Sequence, residues 1–459
     1  MNSKTKKVIL VVPDGTGIRN YLFSQIIPNL VKENCDLLIY HALSNEAIEE
    51  VEKRHNIVLS KKPISKYKET IKQKFLREAI CFGRLHYNSR LENNSTVLTS
   101  WKRNHKGLKK WFYKGVEVFG TYIGKNYQRI LNFEEKYQKT LLKSIDNEVA
   151  FLKSYHPDVI FSTHQRAVNA IPLFKAAEIL GIKTVGAIYS WDNLVKARLA
   201  VRTDVYIVWS NYMRNELLRY YKEINPKDIF VTGTPQFELY QDVNIATKQA
   251  FFTTHGLDIN KLTICFSGDD THTSPYDSNY LEDLVSSVKH NNLEEKVQII
   301  FRRSPVDLSG RYDTIIEEND NLIFSIEPKW SNTQKQWTQL FPYFEDVELL
   351  ANICKHCDLV INIGSTMAHD FAIFNNPAAY INYDAVYDEN WSTKTIYNYQ
   401  HFKSMPQKDV VYWINSKEDY AHIIAKISKN ENSLGKQWLE TINSFDNNSA
   451  QAISNLLIN

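Results

Sequence analysis

The chain has 459 residues, too many for one ordinary hydrophobic core and suited to two domains of roughly 200 residues each. Its 43% hydrophobic and 23% charged residues describe a globular protein, and a net charge of +3 is too small to imply a nucleic-acid partner. No apolar run approaches membrane-spanning length, and MNSKTKK leads into a strand without a signal-peptide pattern, so a cytoplasmic protein with five reduced cysteines is expected.

Lys7 to Pro13 (KVILVVP) reads as a buried strand, and Asp14-Gly15-Thr16-Gly17 turns it into a helix starting near Ile18. This G-x-G lacks the next glycine and the compact second strand closed by an acidic residue, so the dinucleotide-binding fingerprint is rejected. Asp14 is either an N-cap or a functional carboxylate at a strand end, and Arg19 and Asn20 follow it onto the helix. Cys35 to His41 is a second strand. From about 45 to 138 the pattern is helical and basic, and Trp101 to Gln128 interleaves seven Lys and Arg with aromatics. That face reads either as a solvated helix with its aromatics turned inward, the commoner arrangement, or as a surface for an anionic membrane.

Strands then alternate with helices, which implies a parallel sheet whose ligands gather at the strands' carboxyl ends. Asp158 to Ser162 ends in Thr163-His164-Gln165-Arg166, and Lys183 to Tyr189 ends in Ser190-Trp191-Asp192-Asn193. Asp204 to Trp209 and Asp228 to Val231 follow. His164, Arg166, Trp191, Asp192 and Asn193 together make a site-like set of polar strand ends. The rhythm restarts after Gly233-Thr234-Pro235-Gln236-Phe237, where the domain boundary is placed. Leu262 to Ser267 is a strand leading to Gly268-Asp269-Asp270. The two aspartates read as loop polarity or ligand contacts, since adjacent residues on a loop seldom point together at a metal. Ser274-Pro275-Tyr276-Asp277 is a helix-opening pattern. Val297 to Arg302 is a strand whose end offers Arg302 and Arg303, guanidinium forks suited to phosphate. Leu322 to Ser325 is a short strand and Val347 to Cys357 a helix, whose Cys354 and Cys357 read as packing for want of a second ligand pair.

The densest signal is Asp358 to Asp384, DLVINIGSTMAHDFAIFNNPAAYINYD. An apolar strand meets Gly364-Ser365-Thr366, a helix runs from Met367 to about Phe374, and a second strand covers Ala378 to Tyr383. A helix opened by Gly, Ser and Thr is a seat for phosphate, and Asp370 one turn on could accept hydrogen bonds from a ribose diol. An ordinary capped crossover helix has the same spacing. Tyr387, Asp388 and His401 fall in later loops, Val410 to Ile414 is an edge strand, and from about Lys417 the chain is helical to its end.

The GST…D…NP…YINYD pattern resembles the nucleotide-binding half of GT-B glycosyltransferases and the related CDP-glycerol glycerophosphotransferases. The resemblance implies an α/β GT-B fold, two doubly wound Rossmann-like domains facing a cleft with the C-terminal helix crossing back to the first. It places an acceptor-binding domain at 1–235 with a helical insertion at about 45–138, a donor-binding domain at 236–425, and a helical tail at 426–459. The G-T-P-Q-F turn resembles the hinge of surface-polysaccharide transferases. By position the donor falls to Gly268, Arg302, Arg303, Gly364, Ser365, Thr366 and Asp370, and the acceptor to Arg19, Asn20, Arg166, Trp191 and Asn193. The base is Asp14, with His164 and Asp192 as rivals. Ser304 stands where the glycerophosphotransferases carry the histidine of R-x-H-P. The activity implied is inverting, metal-independent and cofactor-free transfer from a nucleotide sugar, UDP-linked or else CMP- or CDP-linked, to a glycan or lipid-linked acceptor in surface-polysaccharide synthesis. The alternatives are polyol phosphate transfer from a CDP donor, or a non-catalytic or epimerase member of the same fold.

Overall fold

Two parallel sheets, each built from buried apolar strands alternating with helices, organise the chain. The computed structural model describes residues 5–331, 340–427, 434–444 and 448–459. Residues 1–236, 399–401 and 442–459 form one compact unit, and 237–398 with 402–441 form another.

The first unit carries seven strands: β1 (Lys7–Val12), β2 (Asp36–His41), β3 (Ser60–Pro63), β4 (Val159–Ser162), β5 (Lys183–Ala187), β6 (Val205–Val208) and β7 (Ile229–Val231). They pair in parallel in the order β3-β2-β1-β4-β5-β6-β7. Ile9, Val11 and Ile160 of the central strands pack with Leu173, Phe174 and Ala177 of the helix Ile171–Leu180. In the second unit β8 (Leu262–Ser267), β9 (Val297–Arg302), β10 (Ile323–Ser325), β13 (Leu359–Asn362), β14 (Ala378–Ile381) and β15 (Tyr412–Ile414) pair in the order β10-β9-β8-β13-β14-β15. A two-stranded hairpin, β11 (Trp330–Ser331) with β12 (Phe341–Pro342), was not read from the sequence. Both sheets are doubly wound, so each reverses strand order once, between β1 and β4 and between β8 and β13.

Three details correct the sequence reading. The stretch read as helical from about 45 contains β3, whose Ser-Lys-Lys-Pro carries no apolar signal because it is an edge strand facing water. The chain does turn helical at Ile18, as read, but as a single π-helical turn over Ile18–Leu22, with an α-helix at Ile26–Lys32 after it. Ser274 does not cap a backbone N–H; its hydroxyl donates to Asp277 Oδ1 at 3.0 Å, and the helix starts at Asp277. Asp277 is drawn away from capping because its Oδ2 accepts the Asp269 N–H and the Tyr312 hydroxyl, each at 2.8 Å.

The tail returns to the first unit. Ser444 N–H donates to the Trp209 carbonyl at 2.7 Å, Thr234 N–H donates to Asn443 Oδ1 at 2.8 Å, and Lys183 Nζ reaches the Leu456 carbonyl of the last helix, Ser449–Ile458. In the helical insertion, Ile71–Leu91 and Leu108–Gly124 cross closely because glycines face each other: a Cβ at Gly124 would sit 2.4 Å from the Gly83 carbonyl oxygen. Arg84 fastens this hairpin to the unit by ion pairs to Glu134 and Glu223.

A matched pair of substitutions tests that crossing. Gly124→Ala should lower stability by about 1–3 kcal/mol, since backbone cannot move aside. Gly115→Ala in the same helix, where a Cβ meets only Phe75 at 3.8 Å, should raise it by roughly 0.5–1 kcal/mol. Chemical denaturation of both variants measures the difference.

Candidate functional site

In doubly wound sheets ligands bind outside the carboxyl ends at the reversal of strand order. In the first unit that point lies between β1 and β4, and the residues there are Asp14 and His164. They are 150 positions apart in sequence, yet His164 Nδ1 donates to Asp14 Oδ2 at 2.6 Å. Each is 7% exposed. A carboxylate can only accept, so the proton of this bond sits on Nδ1, and in the neutral tautomer the lone pair is at Nε2. That Nε2 is buried and has no hydrogen-bond partner among the described residues. Oδ1 of Asp14 accepts the Thr16 N–H at 3.2 Å, so the residue caps its own turn and orients the histidine at once. Burial pulls the Asp14 carboxyl upward, but the His164 bond and charge and the Thr16 bonds outweigh it and the net position is lowered.

The neighbouring strand end supplies the walls. The Tyr189 ring meets the His164 ring edge-on at 4.3 Å, Gln165 Oε1 accepts the Tyr189 N–H at 3.1 Å, and Asn20 Nδ2 reaches the Tyr189 carbonyl at 3.4 Å. Arg166 donates to Asn193 Oδ1 at 3.0 Å, and Asn193 donates to Asp192 Oδ1 at 2.8 Å. Ser190 also donates to that oxygen, and Lys196 pairs with Oδ2. Burial favours a neutral Asp192, yet Lys196, His401 and these bonds hold its carboxyl well below the usual range. It is a poor proton acceptor. Trp191 packs edge-to-face on His401 at 4.8 Å, and burial pushes His401 down to about 4. Arg19 is half-buried on the π turn. Gln165 and Tyr189 were not singled out from the sequence; their place at a strand end was the available signal.

In the second unit the reversal brings Gly268 and Asp269, after β8, to the same edge as Gly364 and Ser365, after β13. Gly364 has φ +65° and lies under Phe402 and Tyr397, so only glycine turns the chain there without colliding with those rings. Ser365 N–H donates to Asn362 Oδ1 at 2.9 Å; Ser365 is half-buried and Thr366 exposed. The helix that follows is short, Met367–Ile373. Asp370 is 2% exposed and accepts the Tyr240 hydroxyl at 2.6 Å, so its carboxylate faces protein. Arg302 is buried with Nη2 against both oxygens of Asp346 at 2.9 Å, and Nη1 has no partner among the described residues. Arg303 pairs with Glu327 and Asp313. Ser304, Tyr387 and Asp388 lie in the loops where the sequence put them, and Cys354 and Cys357 are buried. Asp269 is partly buried beside the Asp277 carboxyl, and desolvation followed by that charge raises it to about 8.

No protein-family model and no curated protein sequence matches the chain. Solved structures do resemble it over almost its whole length. The putative UDP-N-acetylglucosamine 2-epimerase from Listeria monocytogenes is 10% identical, with 98% of this chain and 95% of that one aligned at a TM-score of 0.57. The UDP-GlcNAc 2-epimerase from Neisseria meningitidis, solved bound to UDP-GlcNAc, is 11% identical over 98% and 99% at 0.53. UGT89C1 from Arabidopsis thaliana is 10% identical over 99% of both at 0.50. At these identities the likeness defines the fold: the chain is a GT-B α/β protein with two Rossmann-like domains.

The Asp269 shift has a measurable sign. Between the unfolded value of about 4 and the folded value of about 8, the native state holds a proton that the unfolded chain has lost. Stability from this group is therefore complete below about pH 4 and falls as pH rises toward 8. Urea unfolding across that range should show the decline, and Asp269→Asn should flatten it.

Proposed function

We propose that the chain is a nucleotide-sugar enzyme, an inverting glycosyltransferase acting on a glycan or lipid-linked acceptor of surface-polysaccharide type. The observation that carries this reading is the Asp14–His164 pair with a bare Nε2 at a strand-order reversal. His164 Nε2 takes the proton of the acceptor hydroxyl as the oxygen attacks the anomeric carbon, and the bond from that carbon to the diphosphate oxygen breaks so that the nucleoside diphosphate leaves with the bonding pair. Asp14 holds the ring in the productive tautomer and stabilises the imidazolium that forms. Asp14 is thus the positioning residue and His164 the base, which reverses the preference drawn from the sequence. Arg166, Trp191 and Asn193, with Arg19 and Asn20, are assigned to the acceptor.

The nucleotide is assigned to the second unit, at the turn of Gly364, Ser365 and Thr366 and the facing Gly268. Ser365 and Thr366 offer their hydroxyls, and Thr366 its N–H, to a diphosphate, with UDP favoured over CDP and CMP. Arg302 and Arg303 enter only as groups already balanced by carboxylates, and Asp370 as the anchor of its helix through Tyr240.

A second reading is supported by the likenesses to the Neisseria UDP-GlcNAc 2-epimerase and the putative Listeria one. A histidine lone pair also suits removal of a proton from a sugar carbon. The two readings separate cleanly: an epimerase incorporates solvent deuterium into the sugar with no acceptor present, and a transferase does not.

His164→Gln should cost on the order of 10²–10⁴ in turnover while nucleotide affinity, measured calorimetrically with UDP, CDP and CMP, is retained. Asp14→Asn should cost less, and Asp192→Asn least, because Asp192 is already committed to Lys196. Wild-type turnover by His164→Gln removes it as the base.

Replacing both Ser365 and Thr366 by Leu should abolish nucleotide binding with the fold intact. Asp370→Ala should instead lower stability by about 1–3 kcal/mol, because it strands the Tyr240 hydroxyl. An unchanged nucleotide affinity in the double variant moves the donor elsewhere.

A further inference from the structure

The helix Leu108–Gly124 has two unlike faces. Its inner face, Val116, Gly120, Ile123 and Gly124, is locked against the helix Ile71–Leu91 by glycine contacts. Its outer face is apolar where a solvated helix would be polar: Leu108 is 90% exposed, Trp111 69%, Val118 68% and Tyr122 51%. Positions 108, 111, 115, 118 and 122 recur every three or four residues, forming one stripe about 20 Å long. The sequence reading that turned the aromatics inward holds for Phe112, Tyr113 and Phe119, which are half-buried, but not for Trp111 and Tyr122.

Cations are dense around this helix, and two of them touch the stripe. Lys102, Arg103, Lys106, Lys109, Lys110 and Lys114 are all exposed. Lys114 Nζ lies 5.4 Å from the Trp111 ring centre, and the Arg129 guanidinium lies 4.1 Å from that of Tyr122. The segment's one acid, Glu117, accepts the Trp101 indole N–H at 2.9 Å and is partnered by Arg103. Seven cations against one engaged carboxylate leave the segment Trp101–Gln128 strongly positive.

We propose that this face docks on an anionic lipid surface, with the helix lying in the plane of the headgroups. Trp and Tyr beside apolar residues suit the boundary between headgroup and acyl chain, and the lysines suit anionic lipid. Charge complementarity selects this occupant: a second copy would bring the same cations against themselves. The proposal rests on no assignment of the active site.

Gly115 offers the test, because it sits in the stripe and a side chain there meets only Phe75 at 3.8 Å. Gly115→Glu places an anion in the face, whereas Gly115→Lys extends its charge and can snorkel. Both variants should unfold at or above the wild-type temperature. The full chain should co-sediment with vesicles of phosphatidylcholine mixed with phosphatidylglycerol, more at low salt than at high, and not with phosphatidylcholine alone. Gly115→Glu should weaken that partitioning about tenfold or more, and Gly115→Lys should keep it. Equal binding to both vesicles, absence of binding, or equal loss in both variants overturns the proposal. So does a lipid-free dimer in sedimentation velocity that Gly115→Glu dissolves, which would make a second copy the occupant.

Discussion

The carboxyl edge of the first sheet is organised by one contact, the 2.6 Å hydrogen bond from His164 to Asp14. It exists because β1 pairs with β4 in parallel, so two turns that are far apart in the chain leave the sheet side by side. The bond decides the tautomer, and the tautomer decides which nitrogen is basic. Asp14 has two oxygens and two duties, Oδ1 on the turn and Oδ2 on the ring. Asp14 closes the Thr16 turn rather than capping the helix, whose N-cap is Gly17.

Elsewhere, carboxylates at a strand end or in the first turn of a helix are occupied in holding the protein together. Asp192 is surrounded by Ser190, Asn193 and Lys196. Asp346 takes Arg302, the Lys329 N–H at 2.7 Å and the Trp330 indole at 2.8 Å, tying the small hairpin to β9. Asp277 gathers Ser274, Tyr312 and the Asp269 backbone. Burial of an ionised group is costly unless such partners surround it, so each cluster fixes its loop firmly. A strand-end acid is therefore informative only once its neighbours are known.

The insertion shows the same separation of duties on one helix. Glycines give close backbone approach on the inside, while Trp111, Val118 and Tyr122 stay outside, each more than half exposed. Large apolar side chains left bare in a row carry a solvation cost, and a row bordered by cations matches an interface with anionic, partly apolar matter.

By itself the sequence determined the alternation of strands and helices, because buried parallel strands are short apolar runs ending at Gly, Ser, Asp or Asn. β1, β4, β8, β13 and β14 all fall within a residue or two of where their hydrophobicity places them. It also placed Asp14, His164 and Asp192 at strand ends, since side chains there follow directly from where each run stops. It did not reveal β3, whose Ser-Lys-Lys-Pro is an edge without a buried face and so leaves no apolar pattern. Nor did it show that Asp14 meets His164 while Asp192 meets Lys196, or that Asp370 turns toward Tyr240. Those choices belong to the tertiary structure. Periodicity reports which side of an element is buried, but strand order and side-chain direction decide which distant residue lies within 3 Å, and hydrogen-bond geometry acts only at that range.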